Sequence, residues 1–283
     1  MPGSRSGWLP GLAVTLFCIF WLGLLSAERS AAADENHVAY SAALGYLVSD
    51  YRVQEFSGQS RLVSERGSLP GVSLDAAARW QGYELAIHGF QQADRIDHDG
   101  QTQSGTAFDS TTDTDRREFG LQLTGRSIPL GDFGLAPMVG IGQHRWDRDI
   151  QSSATVTGIE EIYRWRYYSA GLQLKHERKS RRVLLRTMAR WADRVDEAVR
   201  VKNDLGSARL APRADAGFIA ELRWEQRYDR HWWIVASLDY QRWEFERSRT
   251  EALRRDGSFV ATIFQPALEV SSTSFSLAAQ YRF

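Results

Sequence analysis

The sequence predicts an all-β protein: one transmembrane, antiparallel, up-and-down β-barrel of about ten strands, with eight or twelve as open alternatives. Three observations predict it. Beyond residue 34, apolar and polar residues alternate with period two in ten separate segments, the pattern of strands with two unlike faces. The connections between those segments are alternately short and long, as in barrels that cross a membrane. No stretch after residue 33 approaches the roughly 18 apolar residues of a spanning helix, and mean hydropathy is −0.40. A barrel that is polar on every second residue looks soluble by that average.

The first element is a leader. Arg5 precedes an apolar run from Trp8 to Leu25, and the small residues Ala31 and Ala33 follow closely. That order predicts a cleaved signal peptide over residues 1–33 and a mature chain of one barrel domain over 34–283. The sole cysteine, Cys18, falls in the leader. The mature chain is therefore expected to carry no disulfide and no thiol chemistry.

The first strand, from Val38 onward, sets Val38, Tyr40, Ala42, Leu44, Tyr46 and Val48 on one parity, with Ser41, Gly45 and Ser49 on the other. The alternation recurs at 71–80, 83–96, 115–128, 133–148, 163–177 and 182–196. The eighth segment, 215–227, opposes Phe218, Ala220, Leu222 and Trp224 to Ile219, Glu221, Arg223 and Glu225. The ninth, 232–246, opposes Trp232, Ile234, Ala236, Leu238 and Tyr240 to Ser237 and Asp239, and the tenth is 270–283. Short connections are expected at Gln81 and Gly82, near Gly131 and Asp132, at Arg178 to Ser180, and at Tyr228 to His231. Long ones, rich in Ser, Thr, Asp, Arg and Gly, are expected near 55–70, 97–114, 149–162, 197–214 and 247–269. Trp80, Trp224, Trp232 and Phe283 then fall at one edge of the apolar band, and Tyr46, Tyr168, Trp191 and Tyr240 at the other, as two aromatic girdles.

Phe275, Leu277, Ala279, Tyr281 and Phe283 alternate to a terminal phenylalanine. This resembles the last-strand signal of bacterial outer-membrane β-barrel proteins, with Tyr281 and Phe283 as the assembly signal. The resemblance implies the outer membrane as location, both termini periplasmic and the long loops extracellular. The implied partners are outer-membrane lipid and lipopolysaccharide and, during biogenesis, the barrel assembly machinery and periplasmic chaperones.

If the apolar parity faces lipid, the lumen-lining charges are Arg79, Glu84, His88, Glu118, Arg126, Lys175, Arg186, Arg190, Glu221, Arg223, Glu225 and Asp239. In so narrow a barrel these charges pair or are hydrated. Two roles follow, a narrow porin-like channel or a plugged barrel with a structural or binding role at the surface. Six tryptophans directly follow an arginine, Trp80, Trp146, Trp165, Trp191, Trp224 and Trp243, so on a strand the Trp is expected in a girdle with the Arg turned inward. At the outer rim Arg145, Arg164, Arg166, Arg194 and Arg242 are instead candidates to meet lipopolysaccharide phosphates.

The 35 basic and 35 acidic side chains balance, which argues against a nucleic-acid binder. A phosphate-binding glycine loop, CxxC and HExxH are all missing from the sequence, so no metal and no cofactor are expected. A ten-strand barrel of this length resembles the omptin surface proteases in size and layout, and Asp97 and Asp99 resemble that family's aspartate pair. The opposite rim offers Asp193, Asp196 and Asp204 but no histidine to activate a water. The protein is thus expected to be non-enzymatic, with no catalytic residues; an omptin-like protease or a lipid A-modifying enzyme is the alternative.

Overall fold

Period-two alternation does build strands, and they run well beyond the apolar segments. The computed structural model describes residues 38–101, 105–154 and 156–283; the leader over 1–33 and its cleavage at Ala33 lie outside the described residues. In chain order the strands are β1 (Ala39–Ser57), β2 (Ser60–Trp80), β3 (Tyr83–Gln101), β4 (Ala107–Thr124), β5 (Ile128–Leu130), β6 (Phe133–Ile150) and β7 (Ile159–Arg178). They continue as β8 (Arg181–Val201), β9 (Gly206–Leu210), β10 (Ala216–Arg227), β11 (Trp232–Phe245), β12 (Glu251–Arg255), β13 (Ser258–Ile263) and β14 (Ala267–Arg282).

Ten of these form the wall, neighbours in the order β10, β11, β14, β1, β2, β3, β4, β6, β7, β8, and β8 pairs back with β10 to close the barrel. Every pairing around the wall is antiparallel. Closure leaves no unpaired edge among them.

The outer face is apolar in the half nearest the termini. Leu44, Tyr46, Val72, Phe119, Ile141, Tyr168, Leu172, Trp191, Leu222, Leu238 and Leu277 stand exposed there. Farther out the same outward parity turns polar, with exposed Asp50 and Arg52 on β1, Arg95 and Asp97 on β3, and Arg164 and Arg166 on β7. A belt of apolar residues crossed by every wall strand is the lipid-facing surface of this architecture.

Tight turns join β2 to β3, β7 to β8 and β10 to β11 at the terminal end. Gln81 and Gly82 both have positive φ, 48° and 85°, the paired left-handed conformation of a two-residue hairpin turn, and Gly82 meets it without a Cβ penalty. The distal end departs from expectation. The regions 55–70 and 97–114 are mostly ladder: β1 and β2 stay paired to Ser57 opposite Ser60, and β3 and β4 to Gln101 opposite Ala107. Regions 197–214 and 247–269 contain β9, β12 and β13. Beyond the belt both faces of a strand carry charge, so strand and loop look alike in sequence.

A second correction concerns the Arg-Trp pairs. Trp146, Trp165 and Trp243 point inward and are 1%, 4% and 1% exposed, while Arg145 and Arg164 face outward. Above the belt there is water outside and packing inside, so the apolar parity reverses its destination. With Tyr51, Val53, Leu69, Ile96, Tyr163, Phe245 and others these rings form a core across the barrel axis.

Candidate functional site

The interior is built as three charged layers, with the aromatic core packed around and beyond the middle one. In the terminal layer Arg79 pairs with Glu84, and Arg186 reaches Glu221 at 3.1 Å and Glu84 at 3.6 Å. Glu225 receives Arg223 at 3.0 Å, Arg182 at 3.4 Å and also Arg282, whose guanidinium covers the Trp233 ring. Lys175 pairs with Glu177 at the terminal mouth, 3.1 Å apart. Arg126 does not line the lumen: the β4 ladder ends at Thr124, the chain leaves the wall, and Arg126 is exposed over the Tyr83 ring.

The middle layer converges on Glu118. Arg190 lies 3.1 Å from its carboxylate, His144 Nδ1 lies 3.1 Å away, Tyr167 donates its hydroxyl at 2.8 Å, and His88 lies 3.6 Å away. Gly120 on β4 faces Gly142 on β6, and a Cβ at either would collide with Tyr167 or His88. The two glycines make the hollow that lets Tyr167 lie across the lumen. Asp239 faces a cavity of about 150 Å³ that also touches His88, Glu118, Arg186, Glu221 and Arg223.

Above this layer His144 stacks on Trp165 at 4.2 Å and Trp146 on Tyr163 at 4.8 Å, closing the axis with rings. Beyond them, past the lipid belt, sits a layer that sequence reasoning missed. Arg148 is fully buried and holds Glu55 at 2.9 Å, Glu65 at 2.9 Å and Glu161 at 2.5 Å. Glu65 also accepts from Thr112 at 2.6 Å and lies 2.7 Å from His98 Nδ1. Burial alone would raise Glu65, but the Arg148 charge and the His98 hydrogen bond outweigh it and hold the carboxyl at about 2. Glu197 is buried nearby with neither carboxylate oxygen hydrogen-bonded among the described residues. Burial first, then the charge of Glu161, pushes it well above the usual range. The available signal was parity: His98 and Ile96 share the inward register of His88 and Gln92.

That same parity turns the aspartates suggested by the omptin resemblance outward, away from His98. Asp97 and Asp99 are exposed on the outer wall while His98 between them is buried inside. Asp193, Asp196 and Asp204 are exposed as well. Among the described residues no cluster of His, Cys, Asp or Glu has the geometry to hold a metal.

On the outer wall just beyond the belt, Arg117, Arg145, Arg164, Arg166 and Arg194 line one groove of about 770 Å³. Arg117 stands opposite Arg145, and Arg145 opposite Arg164, in ladder register. Like charges directly across a sheet repel. Asp115 and Asp147 answer Arg117 and Arg145, whereas Arg242 lies elsewhere and is held by Glu244 and Glu269. At the chain end Tyr281 packs on Trp232 and Phe283, and the Phe283 amide donates to the Tyr40 carbonyl.

No family model and no curated protein matches the sequence. Solved structures do match in shape. The outer-membrane protease OmpT of Escherichia coli superposes with a TM-score of 0.65 at 11% identity, over 89% of this chain and 99% of that one. The translocator domain of the autotransporter NalP of Neisseria meningitidis gives 0.43 at 11% identity, over 97% and 98%. OprG of Pseudomonas aeruginosa gives 0.39 at 8% identity, over 88% and 97%. The chain has the fold of a bacterial outer-membrane β-barrel.

Proposed function

We propose that this chain is a sealed, non-enzymatic outer-membrane barrel that acts at the cell surface as a structural or binding protein. The observation that carries this reading is the filled axis: three layers of paired charge and a ring-packed core occupy the space a porin leaves open. In the narrow-channel alternative, ions would cross both Glu118 with its four partners and the aromatic core. Asp97 and Asp99 face outward, away from the buried His98 and the barrel mouth, which argues against a hydrolase built on that aspartate pair.

The distal end is the extracellular one in this reading, and both termini are periplasmic. The longer β6–β7, β8–β10 and β11–β14 connections all lie at the distal end, where β1–β2 alone of the described connections between wall strands is a two-residue turn, and this supports that orientation. The groove of Arg117, Arg145, Arg164, Arg166 and Arg194 then sits where lipopolysaccharide phosphates lie, and phosphate relieves the repulsion between facing arginines by charge-assisted hydrogen bonds. Biogenesis through periplasmic chaperones and the barrel assembly machinery, with Tyr281 and Phe283 as the signal, belongs to the same proposal. Planar-bilayer recording of the purified protein tests it: little or no conductance is expected, and sustained ion-selective steps would refute the sealed barrel.

A further inference from the structure

The distal layer is the floor of a cavity of about 250 Å³ at the barrel mouth, walled by Val63, Phe108, Ile150, Val199, Leu253 and Ile263. His98 lines it at 3% exposure, its ring 4.9 Å from that of Phe108. Because the Glu65 carboxylate faces Nδ1 at 2.7 Å, the ring proton belongs on Nδ1, and in the neutral ring Nε2 is a hydrogen-bond acceptor. Nε2 has no partner among the described residues. Gln265 lines the same chamber and its Nε2 is likewise without a partner among the described residues, so the chamber offers one acceptor and one donor. An apolar chamber with a few convergent, unsatisfied polar atoms is the ordinary design of a small-molecule site.

We propose that this chamber binds a small neutral aromatic molecule carrying one hydroxyl or N–H group, with its ring against the apolar wall and its donor on His98 Nε2. The volume fits: a dry cavity of about 150 Å³ accepts benzene, and this one has room for a second ring. Charge narrows the choice further. Glu55 and Glu161 share the floor, with Glu65 behind, so a carboxylate ligand is repelled. A cation would have to shed its hydration in an apolar chamber, with Arg148 already seated against both floor acids. The chamber lies beyond the aromatic core, so the inference stands whether or not the lumen below conducts.

The test is calorimetric titration of the folded full barrel in lipid nanodiscs with 2-naphthol, naphthalene and 2-naphthoate, each corrected for partition into empty nanodiscs. Saturable one-to-one binding of 2-naphthol is expected, with 2-naphthoate at least about tenfold weaker. His98→Phe should weaken 2-naphthol about tenfold while leaving naphthalene unchanged, the signature of one lost hydrogen bond. Leu253→Trp, which fills the chamber from its rim, should abolish both, with heat-modifiable mobility confirming that each variant is folded. If His98→Phe fails to fold, Leu253→Trp and the discrimination between naphthol and naphthoate decide alone. Absence of saturable binding, equal binding of naphthoate, or an equal loss of naphthol and naphthalene in His98→Phe would each overturn the proposal.

Discussion

The two ends of the lumen handle buried charge in opposite ways. In the terminal layer Arg79, Arg182, Arg186, Arg223 and Arg282 face Asp75, Glu84, Glu177, Glu221 and Glu225, and most groups touch more than one partner. The distal layer gathers Glu55, Glu65, Glu161 and Glu197 around one arginine, Arg148, and one histidine, His98. A balanced, redundant network is complete in itself and behaves as a rigid plug. An acid-rich layer with a single cation depends on that cation, on protonation and, at His98, on whatever reaches the cavity above it.

Arg148→Met is the sharpest way to break this contrast, and it should have the largest effect. The change keeps the volume but leaves three buried carboxylates without their cation, which typically costs about 3–5 kcal/mol. Because the damage lies beyond the lipid belt, the barrel should stay inserted while its distal strands become protease-sensitive. Limited proteolysis in liposomes together with urea unfolding checks both halves of the expectation. Wild-type protection at the distal end would show that the layer does not rest on Arg148.

Protonation supplies the next effect. The folded pKa of Glu197 is raised, so its stabilising contribution is full below the ordinary carboxylate range and is lost as pH rises through the folded value. Glu65 runs the other way: held at about 2, it contributes above the ordinary value of 4.5 and loses that contribution as pH falls toward 2. Glu161, Glu55 and Arg148 all act on Glu197 through their charges, so the two trends meet in one layer. Glu197→Gln should remove only the loss on the raised-pH side, a gain of about 1–3 kcal/mol there, with the acid side unchanged. Amide hydrogen exchange across pH in the distal parts of β7 and β8 measures it, and an unaltered profile would reject the buried acid as its source.

The same contrast explains what the sequence disclosed. In the lipid-belt half each strand has one apolar and one polar face, so the lumen positions of Arg186, Glu118 and Glu225 follow from parity alone. Beyond the belt that rule inverts. Trp165 and Trp243 turn inward because only the interior there excludes water, and Asp97 looks like an active-site acid until its parity against His98 is fixed. Arg126 is misplaced for a related reason, since parity has no meaning once the chain leaves the ladder. Glu55, Arg148 and Glu161 converge from three strands, and their spacing along the chain carries no trace of that meeting. The arginine groove was legible as charge at the outer rim, but the facing register of Arg117, Arg145 and Arg164 needed the strand pairing.

Redundancy in the terminal layer predicts the smallest effect, and it is the control for the contrast. Arg282→Gln removes one of the three arginines on Glu225, which is 1% exposed, and leaves Arg223 at 3.0 Å and Arg182 at 3.4 Å in place. The carboxylate stays charged and paired, so the loss should be near the net worth of one hydrogen bond, about 1 kcal/mol, plus the guanidinium contact with Trp233. Urea unfolding in the same liposomes as Arg148→Met gives a direct comparison. If Arg282→Gln proves as damaging as Arg148→Met, the terminal layer is a chain of single dependencies, and the difference between a self-sufficient plug and a cation-dependent mouth disappears.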